Sequence, residues 1–253
     1  MERCIWKRGF AALAVILLYA AGLWAEDPLL IVTAPWPPYA IDIDRNISGI
    51  DVEITQAVFH QLGMSVNIRM YPWKRCLLMI ENQNADAILD VSITPERHEF
   101  MYFPKEPISE GTTVFFIKAG RTIPFTNLED LNTLRVGAVL GYSYCDDIDQ
   151  SLFMERSERV SSLEQNFKKL MTDRLDVVVE VDAVGYYVAY QMGISAHIDI
   201  IPQALYCQGG NYLAFSHKQN YNLLATQFSQ ALETFKTTDE YKNILKAYGR
   251  DVE

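Results

Sequence analysis

Short apolar segments of strand length alternate with segments of helical periodicity along this chain of 253 residues. The run 29–33 is followed by residues 51–62, where apolar side chains recur at the spacing of one helical face. The pattern predicts further strands at 66–70, 87–91, 135–140, 176–181 and 198–201, and further helices at 73–81, 161–171, 183–192 and 222–248, the last broken near Thr237. Such alternation predicts an α/β fold with mostly parallel sheets.

Composition and charge exclude several classes of protein. Hydrophobic residues make up 49% of the chain and charged residues 21%, which excludes a disordered tail or a collagen-like fibre. The chain has 32 acidic and 22 basic residues, a formal charge of −10. A general nucleic-acid binder needs a basic face for phosphates, so we expect no nucleic-acid partner.

The N-terminal 25 residues have the layout of an export signal. Arg3, Lys7 and Arg8 precede an uncharged, apolar stretch at 9–25, and acidic residues follow directly after Ala25. This order of a basic region, an apolar region and a small residue predicts a secretory signal peptide over residues 1–25. The alternative is an uncleaved N-terminal anchor, although the apolar stretch is short for a membrane span.

Three cysteines, Cys76, Cys145 and Cys207, follow the predicted signal peptide. In an oxidising compartment two of them could pair. We favour Cys145 with Cys207, because Cys76 belongs to a different part of the predicted fold; the alternative is three separate thiols. No cysteine spacing matches a zinc site and the four histidines are scattered, so the sequence predicts neither a metal nor another cofactor.

Two extended, β-branched or aromatic segments at 112–118 and 212–216 differ from the other predicted strands, because glycine flanks them. We interpret them as two crossings between two lobes. The first lobe would then be discontinuous, comprising residues 26–116 and 214–253, and the second would comprise residues 117–213. Two crossing strands would form a hinge, in which a few residues absorb the change of backbone angles on closure.

Several motifs occur in an order that resembles one known family. The motifs are Trp36-Pro37-Pro38-Tyr39, Ser48-Gly49-Ile50-Asp51-Val52-Glu53-Ile54, Ser92-Ile93-Thr94-Pro95-Glu96-Arg97 and Asp173-Arg174-Leu175-Asp176-Val177-Val178. Together they resemble the periplasmic solute-binding proteins of amino-acid ABC transporters, family 3. The resemblance implies a two-lobed type II periplasmic binding fold with helices on both sheet faces. It also implies a periplasmic monomer that binds an amino acid and docks on a transporter permease or a membrane sensor.

The resemblance assigns ligand-binding roles to residues in these motifs. Arg97 is expected to hold the ligand carboxylate with its planar fork, and the alternative is a surface pair with Glu96 or Glu99. Ser143 is expected to assist at a helix N-terminus, either toward the ligand or as an ordinary N-cap. The remaining positions carried over are Trp36 and Trp73, whose rings would sandwich the ligand side chain, together with Tyr39 and Ser92.

The sequence departs from the family pattern at the two positions expected to face the ligand ammonium. Val181 stands where the family has an aspartate, and acids lie on both sides of it. We prefer Glu180 as the replacement because of its reach, and Asp182 could instead cap the next helix. Asp90 replaces a small hydroxyl residue, so it should meet a cation on the ligand or pair with Lys74 or Arg75.

Two other functions remain open. Cyclohexadienyl dehydratases resemble this family, and a buried Glu180 or Asp90 could serve such an enzyme as proton donor. A solute sensor without transport is the other alternative. No serine-histidine-aspartate, zinc or phosphate-loop motif is present in the sequence. We therefore expect a binding protein with no catalytic residue.

Overall fold

The computed structural model describes residues 27–202 and 206–250, without the side chains of Tyr206 and Gln208. The predicted signal peptide lies outside these residues. The strands are β1 Leu29–Thr33, β2 Ile41–Ile43, β3 Asn46–Ser48, β4 Val66–Met70, β5 Ala87–Val91, β6 Met101–Tyr102, β7 Ser109–Lys118, β8 Val136–Val139, β9 Glu158–Val160, β10 Val177–Val181, β11 Ile198–Ile200 and β12 Tyr206–Ser216. The α-helices are α1 Ile50–Gln61, α2 Trp73–Glu81, α3 Pro95–His98, α4 Asp146–Asp149, α5 Leu152–Glu155, α6 Leu163–Met171, α7 Asp182–Gln191, α8 Tyr221–Phe235 and α9 Asp239–Ala247.

The main sheet has parallel strands at both ends and antiparallel strands in its middle. Its order is β4-β1-β5-β12-β7-β10-β8-β9, with β6 on β12 and β11 on β7. Strand β1 is parallel to β4 and β5, and β8 is parallel to β9 and β10. We call β1, β4, β5 and β6 the first sheet half, and β8 to β11 the second sheet half. The fold is therefore the predicted mixed α/β fold.

Strands β7 and β12 connect the two sheet halves. The first residues of β12 pair antiparallel with β7, from Tyr206 opposite Thr113 to Asn211 opposite Ser109. The later residues of β12 pair with β5 and β6 of the first half. The far end of β7 pairs with β10 and β11 of the second half. These are the segments predicted as crossings, and both strands begin earlier than the sequence pattern indicated.

Helices cover both faces of the first sheet half, because successive strand side chains point to opposite faces. Ile31 of β1 belongs to one core with Val58 of α1 and Phe228 of α8. Its neighbour Val32 belongs to a second core with Cys76 and Ile80 of α2. The near-continuous apolar character of these strands therefore reflects burial on both sides.

The second sheet half is built in the same way. Phe116 of β7 packs with Phe167 of α6 on one face. Its neighbour Phe115 packs on the other face with Phe153 of α5 and with Leu131, which lies in a 3-10 helix at Leu128–Thr133. None of the helices in the described residues is long and apolar enough to cross a membrane.

Gly49 explains how the chain turns tightly into α1. Its φ is 120°, a region that side chains rarely adopt, and a Cβ atom there would collide with the carbonyl oxygen of Tyr39. The backbone of Asp51 in turn donates to that carbonyl oxygen at 3.0 Å. This junction fixes the start of α1 directly behind the loop that carries Trp36.

Candidate functional site

A cleft lies where the two sheet halves meet at the crossing strands. Its empty volume is about 610 Å³ including the open mouth. It is lined by Thr33, Ala34, Trp36, Trp73, Asp90, Ser92 and Arg97 from the first half, by Tyr142, Ser143, Tyr144, Glu180 and Val181 from the second, and by Gly111, Thr113, Gly209, Gly210 and Asn211 from the crossing strands. Seven of the eight predicted binding residues are in this lining, and Tyr39 is the exception.

Arg97 reaches the cleft from the short helix α3, which Thr94 caps by accepting a bond from the Arg97 backbone N–H. The guanidinium is buried and donates to the carbonyl and hydroxyl oxygens of Ser92 at 2.7 and 2.8 Å. It also donates to the carbonyl oxygen of Gly141 at 3.1 Å. Burial lowers the pKa of Arg97 to about 10, so the group stays cationic at neutral pH. The surface pairing with Glu96 or Glu99 is not what the structure shows.

The carbonyl oxygen of Gly141 accepts a second bond from across the cleft. Nε1 of Trp73 donates to it at 2.9 Å, beside the bond from Arg97. The Trp73 ring also meets Tyr142 edge to face, with ring centroids 5.9 Å apart. Two side chains of the first half therefore converge on one peptide group of the second half.

Trp36 and Glu180 face each other across the cleft, with the Trp36 Nε1 donating to Oε1 of Glu180 at 3.4 Å. The same oxygen accepts from the backbone N–H of Val181 at 2.9 Å. Glu180 is only 1% exposed, and its Oε2 is buried with no hydrogen-bond partner among the described residues. Burial raises the pKa of Glu180 to about 7, because the charged form loses its hydration.

Tyr39 lies one layer behind Trp36 and does not line the cleft. Its ring stacks on that of Trp36 with centroids 4.8 Å apart, and its hydroxyl accepts a bond from Arg250 at 2.9 Å. The placement contradicts the expected direct contact with a ligand. The proline-rich loop turns back on itself between Trp36 and Ala40, which points the two rings to the same side.

The structure distinguishes Glu180 from Asp182. Strand β10 ends at Val181, so the alternation that would put both acids on one face stops there. Asp182 is the first residue of α7, outside the cleft lining, and its carboxylate accepts from the backbone N–H of Ala183. Glu180 is the acid that faces the cleft.

Asp90 lies on the cleft floor in an irregular part of β5. Its φ is 63°, and the pairing of β12 with β5 shifts register opposite it, between Tyr212 and Ala214. Oδ2 of Asp90 accepts from the Thr33 hydroxyl at 3.1 Å, and the carboxyl group also hydrogen-bonds that of Asp51. The expected pairing with Lys74 or Arg75 is not formed: the guanidinium of Arg75 lies over the Tyr71 ring.

Ser92 and Ser143 meet across the cleft, where the Ser92 hydroxyl donates to the Ser143 carbonyl oxygen at 3.2 Å. The Ser143 hydroxyl donates to Asp149 at 2.6 Å. Ser143 is therefore not an N-cap: Cys145 occupies that position, and α4 has only four residues. The expected helix N-terminal contribution from Ser143 is wrong, because the helix begins only at Asp146, after Cys145 as its N-cap.

Cys145 forms a disulfide bond with Cys207, and Cys76 is a buried thiol. The disulfide joins the segment after Ser143 to the start of β12, close to the crossing. The described residues contain no cluster of His, Cys, Asp and Glu side chains able to hold a metal ion.

Several residues of the site had no assigned role in the sequence analysis, among them Asn211, Thr113 and Asp51. Asn211 and Thr113 line the cleft from the crossing strands, and Asp51 lies directly beneath Asp90. The position of Asp51 inside the Gly49-Ile50-Asp51 motif was a signal that could have identified it. Asn211 and Thr113 carried no comparable signal, because their place depends on how the two strands cross.

The family profile described as "Bacterial extracellular solute-binding proteins, family 3" matches residues 29–251. The chain belongs to this family. The match extends over both sheet halves and both crossing strands, so the cleft lies within it.

Curated relatives of this family 3 protein include a "Probable histidine-binding protein" of Neisseria gonorrhoeae, 26% identical over 156 residues, which are 60% of this chain and 57% of that protein. A "Probable amino-acid-binding protein YxeM" of Bacillus subtilis (strain 168) is 26% identical over 113 residues, 44% of this chain and 42% of that protein. The chain thus spans about half the length of the curated relatives that it matches.

Solved structures share the fold of this family 3 protein. The arginine-, lysine-, histidine-binding protein ArtJ of Geobacillus stearothermophilus superposes with a TM-score of 0.76 and 18% identity, over 90% of this chain and 97% of ArtJ. A histidine kinase sensor domain with similarity to periplasmic binding proteins gives a TM-score of 0.77 and 18% identity, over 88% of this chain and 96% of that domain. At these identities the likeness establishes the type II periplasmic binding fold.

Proposed function

We propose that this protein binds an amino acid in the cleft and delivers it in a closed form to an ABC transporter permease. The observation that carries the proposal is that a buried guanidinium, Arg97, and a buried carboxyl group, Glu180, line one cleft together with aromatic rings. An amino acid needs a cation for its carboxylate, an acid for its ammonium and a surface for its side chain.

Arg97 would hold the carboxylate. It lies on the cleft wall and is cationic at neutral pH. An arginine has more N–H donors than the three bonds that Arg97 makes to Ser92 and Gly141, so it can still donate to a ligand. A bidentate pair with a carboxylate is among the stronger hydrogen-bonded contacts in proteins.

Glu180 and Asp90 would receive the cationic part of the ligand. Oε2 of Glu180 is a buried acceptor with no hydrogen-bond partner among the described residues, and Asp90 lines the same cleft. An acceptor left unpaired in this way costs free energy, and an ammonium group supplies the missing donors. Trp36, Trp73 and Tyr142 line the same space and offer ring faces to the ligand side chain.

Closure is proposed from the bonds that span the cleft. Trp73 and Arg97 both donate to Gly141, Ser92 donates to Ser143, and Trp36 donates to Glu180. A ligand that contacts both halves selects the closed form, because only this form offers all of these groups together. Residues 26–116 with 214–253 and residues 117–213 would move as the two lobes.

We propose a periplasmic monomer that is not an enzyme. Support comes from the family, which consists of extracellular solute-binding proteins, and from relatives named for amino-acid binding. The sensor-domain structure shares only the fold, so it does not favour a sensory role. The dehydratase alternative predicts turnover of prephenate or arogenate that Glu180→Gln abolishes, and we expect no turnover with either protein.

The experiment is isothermal titration of a panel of amino acids into protein that was unfolded, dialysed and refolded to remove carried ligand. We expect micromolar binding of at least one polar amino acid, about −8 kcal/mol. Arg97→Ala should weaken it by about 30-fold or more, since truncating one partner of a buried charge pair costs about 2–5 kcal/mol. The affinity of Arg97→Lys should lie between that of the parent protein and that of Arg97→Ala.

The matched control is Arg174→Ala, which removes an exposed arginine outside the cleft lining and should leave the affinity unchanged. Equal affinity of Arg97→Ala and the parent protein for every bound amino acid would contradict the proposed site. Absence of binding by the whole panel would contradict the proposed function.

A further inference from the structure

Two carboxyl groups meet at the floor of the cleft, that of Asp90 in the cleft lining and that of Asp51 buried behind it. Asp51, the second residue of α1, is fully buried, and its carboxyl group hydrogen-bonds that of Asp90 from β5. Oδ2 of Asp51 accepts from the Ser109 hydroxyl at 2.6 Å, and Oδ2 of Asp90 accepts from the Thr33 hydroxyl at 3.1 Å. Oδ1 of each residue is buried with no other donor among the described residues.

A hydrogen bond between two carboxyl groups requires a proton, because two carboxylates are acceptors only. One shared proton supplies the donor that the two Oδ1 atoms lack. The pair then carries a single negative charge, which avoids the repulsion between two adjacent buried carboxylates. Burial raises the pKa of Asp51 to about 6, although the hydrogen bond with Asp90 acts to lower it. Burial and the charge of Asp51 together raise the pKa of Asp90 well above its ordinary value.

The pair belongs to a hydrogen-bonded chain that ends in the cleft on both sides. Asn211 lines the cleft and donates through Nδ2 to the Ser109 hydroxyl at 3.0 Å, which continues to Asp51. Thr33 and Asp90 line the cleft at the other end. Ser109 and Asn211 are also paired residues of the crossing strands β7 and β12. The chain therefore connects the cleft floor to the crossing.

The nearest charged groups on neighbouring elements are engaged elsewhere. Lys236, after α8, donates to Glu106 at 2.7 Å, and Arg250 donates to the Tyr39 hydroxyl. Both cations favour the charged form of Asp51 from a distance, and neither is hydrogen-bonded to it. The charge of Asp51 also contributes to the raised pKa values of Tyr39 and Tyr241.

We propose that Asp51 and Asp90 form a proton-sharing acid pair that recognises a cationic group of the ligand, with Asp90 contacting it and Asp51 positioning Asp90. The inference rests on the proposed function for its ligand, and the pair itself can be tested without one. Asp51 is a positioning residue. It keeps Asp90 turned into the cleft, and its carboxyl group shares the proton with that of Asp90.

The acid pair makes the affinity for the ligand depend on pH. With one shared proton it offers one negative charge to the ligand cation. A second proton from solvent neutralises it, so affinity should fall by up to tenfold per pH unit below about pH 6. In Asp51→Asn the amide donates to Asp90 without titrating, so Asp90 stays ionised to lower pH and the fall in affinity moves to lower pH.

The first test is infrared spectroscopy of ligand-free protein at pH 7 for the C=O stretch of a protonated carboxyl group. All variants carry Glu180→Gln, because Glu180 is the other described carboxyl whose raised pKa lies near neutrality. We expect the band in this background and its loss in both Asp51→Asn and Asp90→Asn. The exposed control Asp147→Asn should keep it.

The second test is titration of L-arginine and L-glutamine between pH 5 and 8, with Glu180 intact. Asp90→Asn should weaken binding about tenfold at pH 7, and Asp51→Asn should change the pH profile more than the affinity at pH 7. Absence of the infrared band in the Glu180→Gln protein, or its survival in Asp90→Asn, overturns the acid pair even if amino acids bind. If neither probe binds, the proposed function fails for them, and the infrared result still decides on the pair.

Discussion

The indole N–H of Trp36 donates to Oε1 of Glu180 at 3.4 Å, across the cleft between the two sheet halves. Trp36 is held by the loop after β1, and Glu180 by the buried end of β10. This contact puts a titratable acid in the surface that the proposed closure would bring together. The charge of Glu180 should therefore influence both the stability of the protein and its ligand binding.

Glu180→Gln should stabilise the ligand-free protein increasingly as the pH rises from about 5 to 8. Burial raises the pKa of Glu180 from its ordinary value of 4.5 to about 7, so the folded state holds its proton more tightly than the unfolded state. The stabilisation from that proton is complete below pH 4.5 and is lost as the pH rises through 7. The difference between variant and parent should approach about 3 kcal/mol at pH 8.

The measurement is urea unfolding of both proteins across this pH range, with the exposed Glu155→Gln as control. A difference between Glu180→Gln and the parent that stays constant with pH would show that Glu180 does not titrate as its burial requires.

Trp73→Phe should weaken ligand binding about fivefold while leaving the fold intact. Phenylalanine keeps an aromatic ring but loses the N–H that donates to Gly141 at 2.9 Å, a bond worth about 1 kcal/mol to the closed form. Small-angle scattering of ligand-free protein should show a larger radius of gyration. The exposed Tyr190→Phe is the control, and an unchanged radius and affinity would exclude a role for the Trp73 N–H in closure.

Replacing both Cys145 and Cys207 by serine should lower the free energy of unfolding by about 4 kcal/mol. The disulfide closes a loop with a sequence separation of 62 residues, and loop-closure entropy of the unfolded chain sets this magnitude. Thermal unfolding with and without reductant tests it: reductant should lower the Tm of the parent and leave the double variant unchanged. A parent protein insensitive to reductant after full reduction would contradict the expected stabilisation.

Gly111→Ala should destabilise the protein by about 1–3 kcal/mol through overpacking. Gly111 is on β7 at the cleft, and an added Cβ would lie 2.6 Å from Cγ1 of Val181 on β10. The double variant Gly111→Ala, Val181→Ala should recover part of the loss relative to Val181→Ala alone. Gly209→Ala is the matched control, since its nearest neighbour would be 3.9 Å away. Equal unfolding midpoints for the two alanine variants would refute the steric cause.

Much of the helix and strand pattern could be predicted, because it depends on residues that are close together in the sequence. Helix α2 was predicted with its observed bounds, and α1 within one residue at each end. The β2–β3 hairpin and the short helix α4 were missed, since neither is long enough to show a period. The helix predicted over 161–171 begins at Leu163, after Ser162 as an N-cap that makes no side-chain cap bond.

Site residues could be predicted where they belong to a sequence motif. They could not be predicted where their position depends on how elements distant in the sequence pack together. Arg97 and the two tryptophans lie in recognisable motifs, and the structure places them in the cleft. The choice between Glu180 and Asp182 depended on where β10 ends, which alternation alone does not reveal. The contact of Asp51 with Asp90 joins α1 to β5, and no local sequence pattern predicts a contact between such distant elements.

The state of the cysteines makes this protein suited to conversion into an optical sensor. Cys145 and Cys207 are bonded to each other and Cys76 is 0% exposed, so the described part of the chain offers a thiol-reactive dye no accessible target. Ile93 and Leu140 are partly exposed, next to Ser92 and Gly141 on opposite sides of the cleft. A cysteine introduced at either position would carry a single fluorophore on the closing rim, and its emission would report solute capture in real time.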